Sequence, residues 1–365
     1  MTRRPFLRIF TSCLPAVPLQ EKGATAMATL RSKEFSCSIP DVSFTSAGKA
    51  RVVIAIDGET VYDEWLYPAG DTVTLADLPG LVTPYARQRQ TVALTVTATG
   101  EDGQQLCSGS SEVTYCQADF GDETAEHFLQ NHFLSILMGT KVTAPGRMEL
   151  LHVPGSDAAT CQARYSDGTT ADFTPAVIQS NDHYRTLDVS PSAFTAEGKT
   201  LMGYVVTAGN RTQEYEIDLT GPDCAPILIF VNSFGLDELA YCTGIHRVDP
   251  SYKRSAAYIG RIQRNYKIDE TRAFKADTGP LTMAMANWWD EVFRSDSVRV
   301  VNIYQGVPTM GKDLIITDSK SEYSNDDADI PRFTFTYQYA QRNHNVVQLL
   351  RAGRIFDNTF DSTFN

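Results

Sequence analysis

A chain of 365 residues carrying 32 Lys and Arg against 44 Asp and Glu, for a formal charge of −12, is too acidic to bind nucleic acid through a general positive surface. The imbalance is uneven: Met1 to Ala26 contributes +3, which leaves −15 on the remainder. A composition of 42% hydrophobic and 10% aromatic residues excludes a disordered chain, and no apolar run of about 18 residues is present to form a transmembrane helix.

Arg3-Arg4 followed by Phe6 to Leu19 has the outline of a secretory signal, but Arg8, Pro15 and Pro18 interrupt its apolar run. Glu21-Lys22-Gly23-Ala24 can be encoded by a purine-rich stretch of ribosome-binding type shortly before Met27, and strand-like patterning begins after that methionine. Residues 1–26 are therefore expected to be a non-native or disordered extension, with translation starting at Met27. Seven cysteines, an odd number with no CxxC pair, point to reduced, mostly buried thiols. Cys107 and Cys116 are the nearest two, but a hairpin tip at Gly109-Ser110 would set Cys107 opposite a residue near Glu112.

The fold class read from the pattern is mainly β, with tandem immunoglobulin-like β-sandwich domains and a C-terminal α+β domain. Residues 27–117 form the first sandwich, of immunoglobulin or fibronectin type. Val52, Ile54 and Ile56 alternate before Asp57-Gly58, a two-residue hairpin turn, and Val92, Leu94, Val96 and Ala98 alternate against threonines. Asp77 is placed to cap a short helix ending before Tyr85. Residues 118–225 are expected to form a second sandwich, opening with a helix over Ala125 to Met138 capped by Asp122 or Thr124, with Asp167-Gly168 as another hairpin turn.

Residues 226–365 form the third block, a β-rich domain with one amphipathic helix and an aromatic tail. Ile227 to Val231 is a buried strand, Asn232 to Gly235 a break, and Tyr258 to Tyr266 a further strand. Thr278-Gly-Pro280 begins a helix with Leu281, Met285, Trp288, Trp289, Val292 and Phe293 turned inward. Phe333, Phe335, Tyr337 and Tyr339 share one face of a closing strand.

No constellation nominates catalytic residues, a cofactor site or a metal site. His127 and His132 are five apart, which on a continuous helix sets their rings about 140° apart. The acidic loop from Asp318 to Asp329 lacks the alternation and central glycine of a calcium loop. Nucleophile elbows, zinc-protease helices and phosphate-cradling loops are all missing from the sequence. Lys253, Arg254, Arg261 and Arg264 make a local basic patch, read as a solvated face. The residues singled out for a possible interface are Trp288 and Trp289, which could build an aromatic platform, and the regularly spaced Phe356, Phe360 and Phe364 of the tail.

Several stretches together resemble structural proteins of tailed phages and prophages of gut Bacteroidetes. They are Tyr67-Pro68 through Asp77-Leu78 to Pro84-Tyr85, Asn232-Ser233-Phe234-Gly235 with Tyr241-Cys242-Thr243-Gly244, Phe274 to Leu281, Asp318 to Glu322, and Arg354 to Asp361. The resemblance implies a non-enzymatic virion subunit of the tail or baseplate, folded in the host cytoplasm and then assembled. Its expected partners are other virion tail proteins and copies of itself, with no nucleic acid and no membrane insertion. The alternatives are a secreted or surface β-sandwich protein that binds glycans, for which the basic N-terminus speaks, and a carbohydrate-degrading tail enzyme.

Spaced aromatic residues in a terminal segment are costly to leave in water. Deletion of Arg354 to Asn365 is expected to weaken assembly in sedimentation measurements while the circular dichroism of the folded monomer stays unchanged.

Overall fold

The computed structural model describes residues 26–27, 30–220, 224–304, 307–322 and 330–340. The protein is mainly β. Its first elements are β1 (Ala26–Met27), β2 (Lys33–Phe35), β3 (Val42–Thr45), β4 (Ala50–Ile56), β5 (Glu59–Leu66), β6 (Thr72–Leu75), helix α1 (Leu78–Arg89), β7 (Thr91–Gly100) and β8 (Gln105–Thr114). Asp57 and Gly58 both take positive φ, 49° and 83°, as the two-residue turn between β4 and β5 requires, and the Asp57 carboxylate accepts from the Ala93 amide at 2.7 Å.

Two expectations for this stretch are corrected. The hairpin between β7 and β8 turns at Glu101 to Gln104, where Gly103 has φ +77° and Asp102 accepts from the Gln104 amide, so β8 runs unbroken through Gly109-Ser110. Helix α1 continues through Pro84 to Arg89 because Leu78, Val82 and Ala86, four residues apart, are all buried.

The chain divides into two compact units. One contains the described residues up to Ser32 together with 40–78 and 93–111. In it β1, β8, β7, β4 and β5 lie side by side in that order, which makes β5 an edge strand, and β3 pairs with β6 in a small second sheet.

The other unit contains residues 33–39, 79–92 and the described residues from 112 onward. Its next elements are α2 (Ala125–Asn131), β9 (Lys141–Thr143), β10 (Leu150–Pro154), β11 (Ala159–Tyr165), β12 (Thr170–Phe173), β13 (Ala176–Ser180), β14 (Tyr184–Asp188), β15 (Leu201–Ala208) and β16 (Arg211–Ile217). One sheet has the order β10-β14-β13 and the other β12-β11-β15-β16-β9. They close a sandwich over a shared core: Leu151, Val153 and Leu187 from the first, Cys161, Tyr204, Val206 and Tyr215 from the second. The buried hydroxyls find partners, Tyr204 donating to the Val189 carbonyl at 2.6 Å and Tyr165 to that of Phe194 at 2.8 Å.

Helix α2 starts where the sequence indicates, with Thr124 accepting from the His127 amide, but it ends seven residues short of Met138. Beyond it the chain distributes its side chains among three separate cores. Phe133 enters the sandwich, Leu134 joins Phe35, Phe128 and Phe234, and Leu137 joins Trp288 and Trp289. A helix would present these residues on one stripe; packing against three partners requires extended chain, and the Leu134 amide bonds to the His152 carbonyl instead.

The remaining elements are β17 (Cys224–Val231), β18 (Asp237–Cys242), β19 (Arg247–Ile259), β20 (Ile262–Asp277), α3 (Met283–Arg294), β21 (Val298–Tyr304), β22 (Val307–Lys320) and β23 (Thr334–Tyr339), whose strands form one sheet ordered β18-β17-β21-β22-β23-β20-β19. Helix α3 covers it. The helix is capped by Thr282, which accepts from the Met285 amide, and so begins after Pro280, not at it. Trp288 and Trp289 are both within 1% of full burial, packed with Phe230, Phe335 and Tyr337.

A polar network runs through this interior. Lys141 and Glu149 form an ion pair of 2.6 Å at 6% and 0% side-chain exposure; the Lys141 ammonium also donates to the Leu239 carbonyl and lies 4.7 Å from the Trp288 ring centre. Glu238 accepts from Trp288 Nε1 at 2.8 Å, Asn232 Nδ2 at 2.6 Å and Ser135 Oγ at 3.3 Å. Removing one member of a buried pair strands the other charge, so Glu149→Ala is expected to cost about 3–5 kcal/mol in denaturant unfolding. The double variant Lys141→Met, Glu149→Leu is expected to be less destabilised than Glu149→Ala.

Candidate interaction surface

The residues singled out from the sequence separate sharply in the structure. Trp288 and Trp289 lie in the core, so they offer no surface to a partner, because α3 needs both rings to fill the space between itself and the sheet. Phe333, Phe335 and Tyr337 are likewise buried. Phe356, Phe360 and Phe364 lie outside the described residues, as does most of the acidic loop.

His127 and His132 do converge, contrary to the helical-wheel expectation. Because α2 ends at Asn131, His132 leaves the helical path, and both rings reach Glu123 Oε1, at 2.7 and 3.3 Å. Among the described residues no group of three or more His, Cys, Asp or Glu side chains is placed to hold a metal ion. His152 is fully engaged: its Nε2 donates to the Asp237 carbonyl, its Nδ1 meets Thr186 Oγ1, and burial holds its pKa below the ordinary value.

A cavity of about 230 Å³ is lined by Arg87, Tyr115, Gln117, Asn232, Glu291 and Asp296, among others. Its polar groups mostly hold the fold together. Asn232 Oδ1 accepts from the Phe234 and Leu236 amides, Arg87 pairs with Asp296 at 3.1 Å, and one oxygen of Glu291 accepts from the Ser233 amide. Burial, reinforced by the Glu238 carboxylate, pushes the Glu291 carboxyl up to about 7.

Cys37, Cys107, Cys116, Cys161 and Cys242 form no disulfide with one another, and of these five Cys37 is the exposed one. A hydrogen bond from Cys116 holds the Cys37 thiol below its ordinary pKa, while burial pushes Cys116 up.

A cluster of exposed apolar side chains lies elsewhere, on the β19–β20 hairpin. Tyr258 to Tyr266 is not one strand: Gly260 and Arg261, at φ +58° and +68°, turn the chain back between Ile259 and Ile262. The signal was weak because arginine rarely occupies the second position of such a turn. β20 pairs with β23 only over Phe274 to Asp277. Beyond that base, eleven further residue pairs, Asp249 with Ala273 out to Ile259 with Ile262, form a two-stranded arm about 35 Å long.

Alternation along β19 puts Val248, Tyr252, Arg254 and Tyr258 on one face, with Ile268 opposite Arg254. Tyr252, Tyr258, Ile262, Tyr266 and Ile268 are 42–77% exposed. The basic patch of the sequence sits on the same arm, with the Arg254 guanidinium 5.3 Å from the Tyr252 ring centre. Residues 251–268 hold five cationic residues and no carboxylate.

These features define a protein of stacked β-sheets whose most prominent exposed feature is an apolar, basic hairpin arm. No family model and no curated protein matches the chain. Solved structures that match include the "Titin Ig tandem domains A164-A165", at 15% identity and a TM-score of 0.22, over 53% of this chain and 92% of that one.

Because the folded state binds the Glu291 proton more tightly than the unfolded chain, that group's contribution to stability is fully present below its ordinary value of 4.5 and is lost as pH rises through about 7. Glu291→Gln, which mimics the protonated side chain, is expected to raise the melting temperature by a few degrees at about pH 8 and to leave it nearly unchanged at about pH 4.

Proposed function

We propose that this protein is a non-enzymatic structural subunit of a tailed phage virion, a tail or baseplate component that acts through protein–protein interfaces. The observation that carries the reading is the β19–β20 arm. An isolated two-stranded ribbon is marginal in water, and one exposing three tyrosines and two isoleucines gains stability when a partner covers it. Tyrosine and arginine, the residues concentrated there, are also those enriched at interface centres. The resemblance of residues 50–365 to tail-region proteins of gut Bacteroidetes phages supplies the setting.

Immunogold electron microscopy of particles released from the induced source culture tests this. Label on the tails of particles is expected. Label on cell envelopes with bare particles would favour the secreted glycan-binding reading instead.

A further inference from the structure

Two of the outer strands among the described sheets carry opposite charge. β19 is the outer strand of the seven-stranded sheet and forms one edge of the arm, where Lys253 and Arg254 lie among the exposed tyrosines. β5 is the outer strand of the sheet in the other unit, with Glu59, Asp63 and Glu64 exposed along it and Trp65 and Tyr67 exposed at its end, 46% and 78%. The described part of that unit, residues 26–27, 30–32, 40–78 and 93–111, holds nine carboxylate residues against three cationic ones. Long open edges with apolar side chains are templates for pairing with another chain, and single-sign charge sets which edges meet.

We infer that the arm of one copy docks through β19 on the β5 edge of a second copy, head to tail. This rests on the reading of the protein as an assembly subunit and names its first partner. Backbone pairing along the two edges supplies affinity, and the attraction of Lys253 and Arg254 to the acidic side chains along β5 supplies orientation. Like-charge contacts disfavour arm against arm and β5 against β5. Because the two patches differ, the contact is heterologous: every copy uses one arm and one β5 edge, so the assembly closes into a ring or continues as a helix, as the rotation per copy dictates. A nucleic-acid partner for the arm is disfavoured by the charge of −12 on the whole chain and by the tyrosines and isoleucines on the arm surface.

Sedimentation of the full chain across the micromolar range, in low and in molar salt, reads the contact directly. Association that strengthens with concentration and weakens by at least about tenfold in molar salt is expected. Arm reversal, Lys253→Glu with Arg254→Glu, and edge reversal, Glu59→Lys with Glu64→Lys, should each leave a monomer with an unchanged circular dichroism spectrum. Mixing the two variants should restore association, since each then offers what the other lacks. Parent protein that stays monomeric, or association that both reversals leave intact, overturns the proposal. So does an arm that binds a short oligonucleotide in low salt, loses it on arm reversal, and never self-associates. A monomer that still labels phage tails would reject this contact and leave the virion role standing; self-association without label on particles would do the reverse.

Discussion

The interior of the larger unit depends on keeping buried charge compensated. Lys141 comes from the short parallel strand at the edge of the sandwich, Glu149 from the turn before β10, and Glu238 from the seven-stranded sheet. None could be buried alone, since a lone ion in that interior costs several kcal/mol. Together they bind Trp288, Asn232, Ser135 and the Leu239 carbonyl, so the sandwich and the sheet under α3 meet through directional bonds as well as apolar contact. Such bonds specify one arrangement where apolar contact alone would tolerate several.

The same constraint explains why the short segment from Phe133 to Leu137 is irregular. It lies where three apolar clusters meet, and each claims one of its side chains. The Asn232 side chain fixes the neighbouring break by accepting from two amides and donating to the Leu134 carbonyl. A residue that was legible only as a strand terminator is thus a structural hub.

The arm has the opposite character. It pairs with no third strand beyond its base, exposes its aromatic side chains, and concentrates five cationic residues and no carboxylate in eighteen positions of an acidic chain. A protein of this acidity keeps its copies apart at long range, and under the proposed contact a basic projection gives them one orientation in which approach is favourable. The proposed interaction surface therefore lies on the element least engaged with the fold.

Most of the architecture could be read locally. The alternating strands β4 and β7, the turns at Asp57-Gly58 and Asp167-Gly168, the cap at Thr124 and the inward stripe of α3 each follow from side-chain period and turn chemistry within about ten residues. What local pattern misplaced was decided by contacts distant in sequence. The true length of α2 depended on three cores, and the meeting of His127 and His132 on Glu123 followed from that early stop. The sequence by itself determined a mainly β chain with an acidic body and a local basic patch. Only the tertiary structure decided that this patch lies on a projecting hairpin, because the length of a ladder is set by which strands find partners, and side-chain period is the same in a covered strand and a free one.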